Sequence, residues 1–334
     1  MTTLMKKTVR ALTGVSVAMT MAGVLTTANA QKADVGKYPE RPVHMIVAYA
    51  PGGATDIVAR LVGAKLQERL GQPVVIDNKP GGGTNIGTGE AARSKPDGYT
   101  LLMATVAQAI GPAIYEKLPY DTLKDFDFVT MTMTSPSVLV VNKDVPIHSV
   151  QELIEWAKAH PGELSLASSG TGGSPHLASE LFKLRTGIDY LHVPYKGGGP
   201  AMQDVLAGVV MGGFKTATNT MPQIRAGLVR PLAVAAPERL KDLPDVPTMA
   251  EAGVADFNVS SWNGLMVPKG TPEPIIDLIA KETLEALKDP EVIAQFESRA
   301  STPGNMSKEE FTEFVKKELQ TWKEVADAAG VKIN

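Results

Sequence analysis

From Val43 to Ala50 the chain is almost wholly apolar, and this run stops at Pro51 and the pair Gly52-Gly53. Apolar residues then recur at Ile57, Val58, Leu61, Val62, Leu66 and Leu70, the spacing of one helix face, until Gly71 closes the pattern. A buried strand, a glycine-rich turn and a helix with a glycine C-cap are predicted. Pro73 to Asp77 reads as a second short strand, Asn78 to Gly87 as a glycine-rich loop and Thr88 to Arg93 as a short helix. After the turn Lys95-Pro96-Asp97-Gly98, Tyr99 to Ala104 reads as a third strand. This β-α-β-α-β order predicts a parallel sheet wrapped by helices. Ligands bind such sheets beyond the C-terminal strand ends, where the loops at Pro51 and Thr105 fall. A helix start after a glycine turn also offers unpaired N–H groups and a positive dipole end to an anion.

The pattern shifts around Phe126 to Val141, which reads as two strands separated by Ser-Pro and leads into a second unit. A helix from Val150 to His160 follows Ser149, an N-cap candidate with Glu152 at the third position. Leu164 to Ser168 is a strand, Ser169 to Pro175 a glycine-rich turn, and His176 to Arg185 a helix, with Ser174 as N-cap, Pro175 at the first helical position and Gly187 as the stop. The opening arrangement thus occurs twice. Further on, Tyr195 to Pro200 is a loop, Ala201 to Ala207 a helix, Val209 to Lys215 strand-like, Thr216 to Thr220 a polar turn and Met221 to Ala226 a helix. The strands Asn258 to Trp262 and Gly264 to Val267 are expected to cross back to the first unit. Two amphipathic helices, Pro272 to Lys288 and Lys308 to Ala328, close the chain, the second with a core-facing stripe of Phe311, Phe314, Val315, Leu319, Trp322 and Val325. The expected division is a first lobe of residues 31–133 and 256–334 and a second of residues 134–255.

The 43 % hydrophobic and 21 % charged residues are ordinary for a globular protein. The first 30 residues are not. Lys6, Lys7 and Arg10 precede an apolar stretch from Ala11 to Val24 and the small-residue signal Ala28-Asn29-Ala30, the plan of an export signal cleaved after Ala30. Its loss removes three cations and no acid, taking the net charge from −3 to −6, which argues against nucleic acid as a partner. No later run reaches the roughly 18 apolar residues of a membrane span. The chain has no cysteine, so disulfides, thiol nucleophiles and Cys-based metal sites are excluded. A periplasmic protein is expected.

The five histidines are scattered and give no metal-binding pair. The nearest catalytic arrangement is Ser169 or Ser174 with His176, a secreted serine hydrolase in outline, but both serines are better explained as cap and loop donors. The glycine loops match neither nucleotide fingerprint, and no cofactor is called for. What remains is a set of donors for a small anion: backbone N–H groups at Gly52, Gly53, Gly170, Thr171 and Gly172, with the hydroxyls of Thr105, Ser168, Ser169 and Thr171. Asp56 fits an anion site poorly. Near the third position of its helix it would accept first-turn N–H groups, or else hold a cationic group of the ligand.

Many ordered motifs resemble the Bug-type extracytoplasmic solute receptors, the binding proteins of tripartite tricarboxylate transporters. They include Pro51-Gly52-Gly53 with Asp56, Pro96-Asp97-Gly98-Tyr99-Thr100, Leu118-Pro119-Tyr120, Gly170-Thr171-Gly172 with His176-Leu177, His192-Val193-Pro194-Tyr195-Lys196-Gly197 and Pro244-Asp245-Val246-Pro247-Thr248. The resemblance implies an α/β, two-lobed periplasmic binding protein of type II-like, Venus-flytrap form with crossing hinge strands, and no catalysis. It implies a small organic carboxylate held between the Pro51-Gly52-Gly53 loop and the Ser168 to Thr171 loop, with Gln108, His176 and Tyr195 among the ligand-binding candidates. It also implies a monomeric receptor that docks on membrane permease subunits. The segment Met211-Gly-Gly-Phe214-Lys215-Thr216 departs from relatives, which usually carry an acid near the end of this strand. Lys215 is then either a solvated surface lysine or, close to the cleft, the partner of a second carboxylate, with Phe214 packing the ligand body. A dicarboxylate, aliphatic or aromatic, is the expected ligand, and an aromatic monocarboxylate or an amino acid paired to Asp56 is the alternative.

Overall fold

The computed structural model describes residues 35–329 and 332; the expected signal segment and its cleavage site lie outside them. In chain order the first part contains β1 (Val43–Val47), α1 (Ala54–Leu70), β2 (Val74–Asn78), α2 (Asn85–Ala92), β3 (Thr100–Thr105), α3 (Ala107–Ile114) and β4 (Phe126–Asn142). The second contains α4 (Val150–Ala159), β5 (Ser165–Ser168), α5 (Ser174–Thr186), β6 (Leu191–Pro194), α6 (Gly198–Leu206), β7 (Gly212–Thr216), α7 (Ala217–Arg225) and β8 (Val229–Ala235). The chain then forms β9 (Ser260–Pro268), α8 (Glu273–Leu287), α9 (Pro290–Glu297), β10 (Thr302–Pro303) and α10 (Lys308–Ala329).

The strands join in the order β2-β1-β3-β9-β4-β7-β5-β6, with β8 and β10 also paired to β4. The first three are parallel, as their crossover helices require. The 17-residue β4 links the two parts. Its early residues run antiparallel to β9, from Phe126 opposite Pro268 to Pro136 opposite Ser260, and from Ser137 onward it pairs with β7 and β8. The two strands expected here are therefore one. Pro136, which has no N–H to give a ladder, stands where one set of partners gives way to the other. Asn258 to Val267 likewise supplies one strand, β9, rather than two.

Side-chain alternation gives the sheet two buried faces in each part. Val43, Met45 and Val47 pack with Val58 and Val62, whereas Ile46, Leu102 and Phe126 pack with Phe311. Beyond the switch, Leu139 and Val141 pack with Phe182, and Val138 and Val140 with Met202 and Val205. The stripe on α10 is core, with Phe311 and Val315 fully buried and Trp262 set edge-on to Phe311 at 5.7 Å. Gly71 ends α1 in the left-handed region at φ 69°, its N–H bonded to Gln67 O.

Three helical readings change. Gly173, not Ser174, caps α5. The residues after Thr105 form α3 rather than a plain loop. The expected polar turn Thr216 to Thr220 is the first turn of α7: the Thr218 N–H donates to Ser135 Oγ at 3.3 Å and the Thr220 hydroxyl to Thr216 O at 2.9 Å. Tertiary burial overrides the turn preference of threonine and asparagine. Among the described residues no helix is long and apolar enough to cross a membrane.

Candidate functional site

Five helices start at one place. A cavity of about 40 Å³ is lined by Gly53, Ala54 and Thr55 at the start of α1, Thr105 and Val106 before α3, Ser174 and Pro175 opening α5, Gly198 opening α6, and Thr216 and Asn219 at the start of α7. Each helix directly follows a strand or strand-end loop, so its first N–H groups and positive dipole end face the strand C-termini. Tyr49, Ser169, Lys215 and Ser261 complete the wall. Tyr49 is half-buried as a residue, but its hydroxyl is enclosed and interacts with those of Thr105 and Ser169; burial pushes its pKa up to about 12, so it stays a neutral donor.

Lys215 carries the only charge among these lining residues. It is 3 % exposed, and its ammonium donates to Ala167 O at 2.9 Å but pairs with no acid among the described residues. Burial lowers its pKa to about 7. A buried ammonium with one neutral acceptor leaves donor capacity unused, beside hydroxyls and five helix starts. That environment suits an anion and offers nothing to a cation.

The side chains around the cavity brace it. Asp56 is buried, with both oxygens occupied: the Gly52 N–H and Arg60 Nε donate to Oδ2 at 3.0 Å, and Arg60 Nη2 and Asn78 Nδ2 donate to Oδ1 at 2.9 and 3.0 Å. Burial alone would raise its pKa, but Arg60, Gly52 and Asn78 together hold it below the usual carboxylate value. It therefore ties the Pro51-Gly52 turn from below and does not cap first-turn N–H groups, and a ligand cation would find both its oxygens already occupied. Gln108 is a second brace. Its Oε1 accepts from Thr105 N at 2.6 Å and its Nε2 donates to Thr88 Oγ1 at 2.8 Å. It does not line the cavity; it positions Thr105, which does.

Phe214 also differs from expectation. It is fully buried in the hydrophobic core, stacked on Phe257 at 5.2 Å and edge-on to Phe182 at 5.8 Å. Neighbouring strand residues face opposite ways, so Lys215 can reach the cavity only if Phe214 turns from it. His176 lies outside the lining, its Nδ1 accepting from Gly172 N–H at 3.2 Å and its ring stacked on His192 at 4.1 Å. Burial lowers both imidazoles to about 4. Ser168, and neither serine weighed as nucleophile, meets a histidine: its Oγ lies 2.6 Å from His192 Nε2 and also accepts from Gly170 N–H. It is 1 % exposed, closed to a substrate.

Of the sequence candidates, Gly53, Thr105, Ser169 and Lys215 meet at the cavity. Gly170, Thr171 and Tyr195 line a neighbouring cavity of about 170 Å³ that shares Tyr49 and Ser169. Pro51 and Gly52 are exposed and lie outside the lining of the first. Asp56, Gln108, Ser168, His176 and Phe214 support the walls. Tyr49, Gly198, Thr216, Asn219 and Ser261 were missed. Gly198 was visible as a glycine turn before a helix; the others carry no local signal until the five helix starts are brought together.

A model of the tripartite tricarboxylate transporter family receptor matches residues 58–331. Protein BugT of Bordetella pertussis is 39 % identical over 93 % of this chain and 96 % of its own. Among solved structures, R. palustris Rpa4515 with adipate is 35 % identical over 88 % of this chain and 99 % of its own, with a TM-score of 0.85. MatC (Rpa3494) from Rhodopseudomonas palustris with bound malate is 32 % identical over 86 % and 99 %, with a TM-score of 0.83. On the strength of its sequence, its α/β fold and the matched length, the chain belongs to the Bug-type receptors of the tripartite tricarboxylate transporter family, which are solute-binding proteins and not enzymes.

Proposed function

We propose that this protein is a periplasmic receptor, exported with cleavage after Ala30, that captures a small dicarboxylate and presents it as a monomer to permease subunits in the membrane. The observation that carries the reading is the buried Lys215 ammonium, without an acidic partner among the described residues, in a cavity ringed by five helix starts. The helix starts and the hydroxyls of Thr105, Ser169 and Ser174 would take one carboxylate, and Lys215 the other. The relatives bound to adipate and malate support an organic acid as the ligand. The absence of any acid from the cavity lining, together with the occupied oxygens of Asp56, weighs against an amino acid, whose ammonium would have no counter-charge.

Two lobes, residues 31–133 with 256–334 and residues 134–255, would close on the ligand about β4 and β9. The separate cores on either side of the β4 switch support this division. A thermal-shift screen of aliphatic and aromatic diacids, matched monoacids and glutamate tests the proposal. Diacids should raise the melting temperature most, because a ligand that binds only the folded state stabilises it. A response confined to monoacids or amino acids would overturn the dicarboxylate reading.

A further inference from the structure

The turn before α1 and the start of α6 meet backbone on backbone. The Ala50 N–H donates to Lys196 O at 2.8 Å. A Cβ built on Gly53 would come within 3.1 Å of Gly198 N. One built on Gly199 would be driven into the Pro51 carbonyl oxygen, with Gly52 C at 3.1 Å. Gly53 and Gly198 line the cavity, but Gly199 stands outside it.

Nothing in its own helix requires Gly199 to be glycine. It lies in the first turn of α6 and, unlike Gly197 at φ 157°, does not have a positive φ. It precedes Pro200, an arrangement that usually crowds a side chain. Yet this chain places Ser174 before Pro175, Met221 before Pro222 and Glu273 before Pro274 within α5, α7 and α8. The requirement thus comes from across the contact. The opposing surface cannot easily retreat, because the Asp56 carboxylate holds the Gly52 N–H and is itself clamped by Arg60 and Asn78. Turn backbone on one side and helix backbone on the other leave no flexible side chain to give way.

We infer that Gly199 is a positioning residue for ligand capture: its missing side chain lets the start of α6 seat on the Pro51 carbonyl, so that the two glycine turns shut over the cavity. This rests on the receptor function proposed above. The ligand touches α6 at Gly198, and Gly199 acts only through the fit of the two turns.

The test compares wild type with Gly199→Ala in two measurements. Calorimetric titration with malate and adipate should show affinity reduced about tenfold or more, with the ligand-free melting temperature unchanged or raised because alanine is the better helix former. Because the chain has no cysteine, Ala50→Cys with Lys196→Cys introduces a lone pair across the contact. Its oxidative cross-linking should be about tenfold slower when Gly199→Ala is added. Affinity within about twofold of wild type, equal cross-linking rates, or a lower ligand-free melting temperature would each overturn the inference. If wild type itself binds no diacid, the receptor reading fails, while the cross-linking rates still decide the role of Gly199.

Discussion

Lys215 carries a burial cost that no acidic partner among the described residues offsets. Its ammonium has left water for one carbonyl, Ala167 O, and burial brings its pKa from 10.5 to about 7. Between those values the unfolded chain binds a proton that the native protein does not. Stability should therefore rise as pH increases from about 7 towards 10.5 and carry the full penalty below 7. Lys215→Met should stabilise the ligand-free protein by about 1–4 kcal/mol at neutral pH and flatten that rise, measured as melting temperature against pH. A bound dianion favours the charged form, so wild-type dicarboxylate affinity should be level just below about pH 7, where both ligand carboxylates stay ionised, and fall by up to about tenfold per unit above it. Asp56 follows the opposite sign. Its depressed carboxyl stabilises the fold above the ordinary carboxylate value and loses that contribution as pH falls through the native value. Asp56→Asn should cost about 1–3 kcal/mol at neutral pH, seen in denaturant melts, with the difference from wild type shrinking in acid.

At the scale of elements, β7 concentrates the point. Phe214 and Lys215 are sequence neighbours on opposite faces, one in the aromatic core and the other in the cavity. Phe214→Ala should cost about 3–5 kcal/mol of stability while the folded fraction keeps its affinity, whereas Lys215→Met should lose affinity and gain stability. Paired denaturant melts and titrations would separate them. The period of two along a strand forbids both side chains from reaching one cavity, and that rule was available from the sequence. Also legible were α1 with its Gly71 stop and the repeated strand-turn-helix at Ser169. The start of α7 was hidden because Thr216, Thr218, Asn219 and Thr220 favour turns locally, and only Ser135 and burial make them helical. Asp56 was ambiguous for a similar reason: its partner Asn78 is 22 positions away, at the end of β2.

Across the whole molecule, the site exists because the sheet order departs from chain order. β9 arrives late and inserts between β3 and β4, so helix starts from distant parts of the chain share one rim. Local patterns could not supply this, and it is why Tyr49 and Ser261 went unseen although the runs that hold them, Val43 to Ala50 and Asn258 to Trp262, were each expected as a strand. A receptor built this way should gain about 2.7 kcal/mol at a ligand concentration of 100 Kd, and the gain should vanish for a monoacid of low affinity. The most direct test is calorimetric titration of wild type and Lys215→Met with a dicarboxylate and its matched monocarboxylate at about pH 6.5. Wild type should prefer the dicarboxylate by about tenfold or more, the worth of a charge-assisted contact, and the variant should lose that preference. Equal preference in both proteins would contradict the placing of a second carboxylate at Lys215.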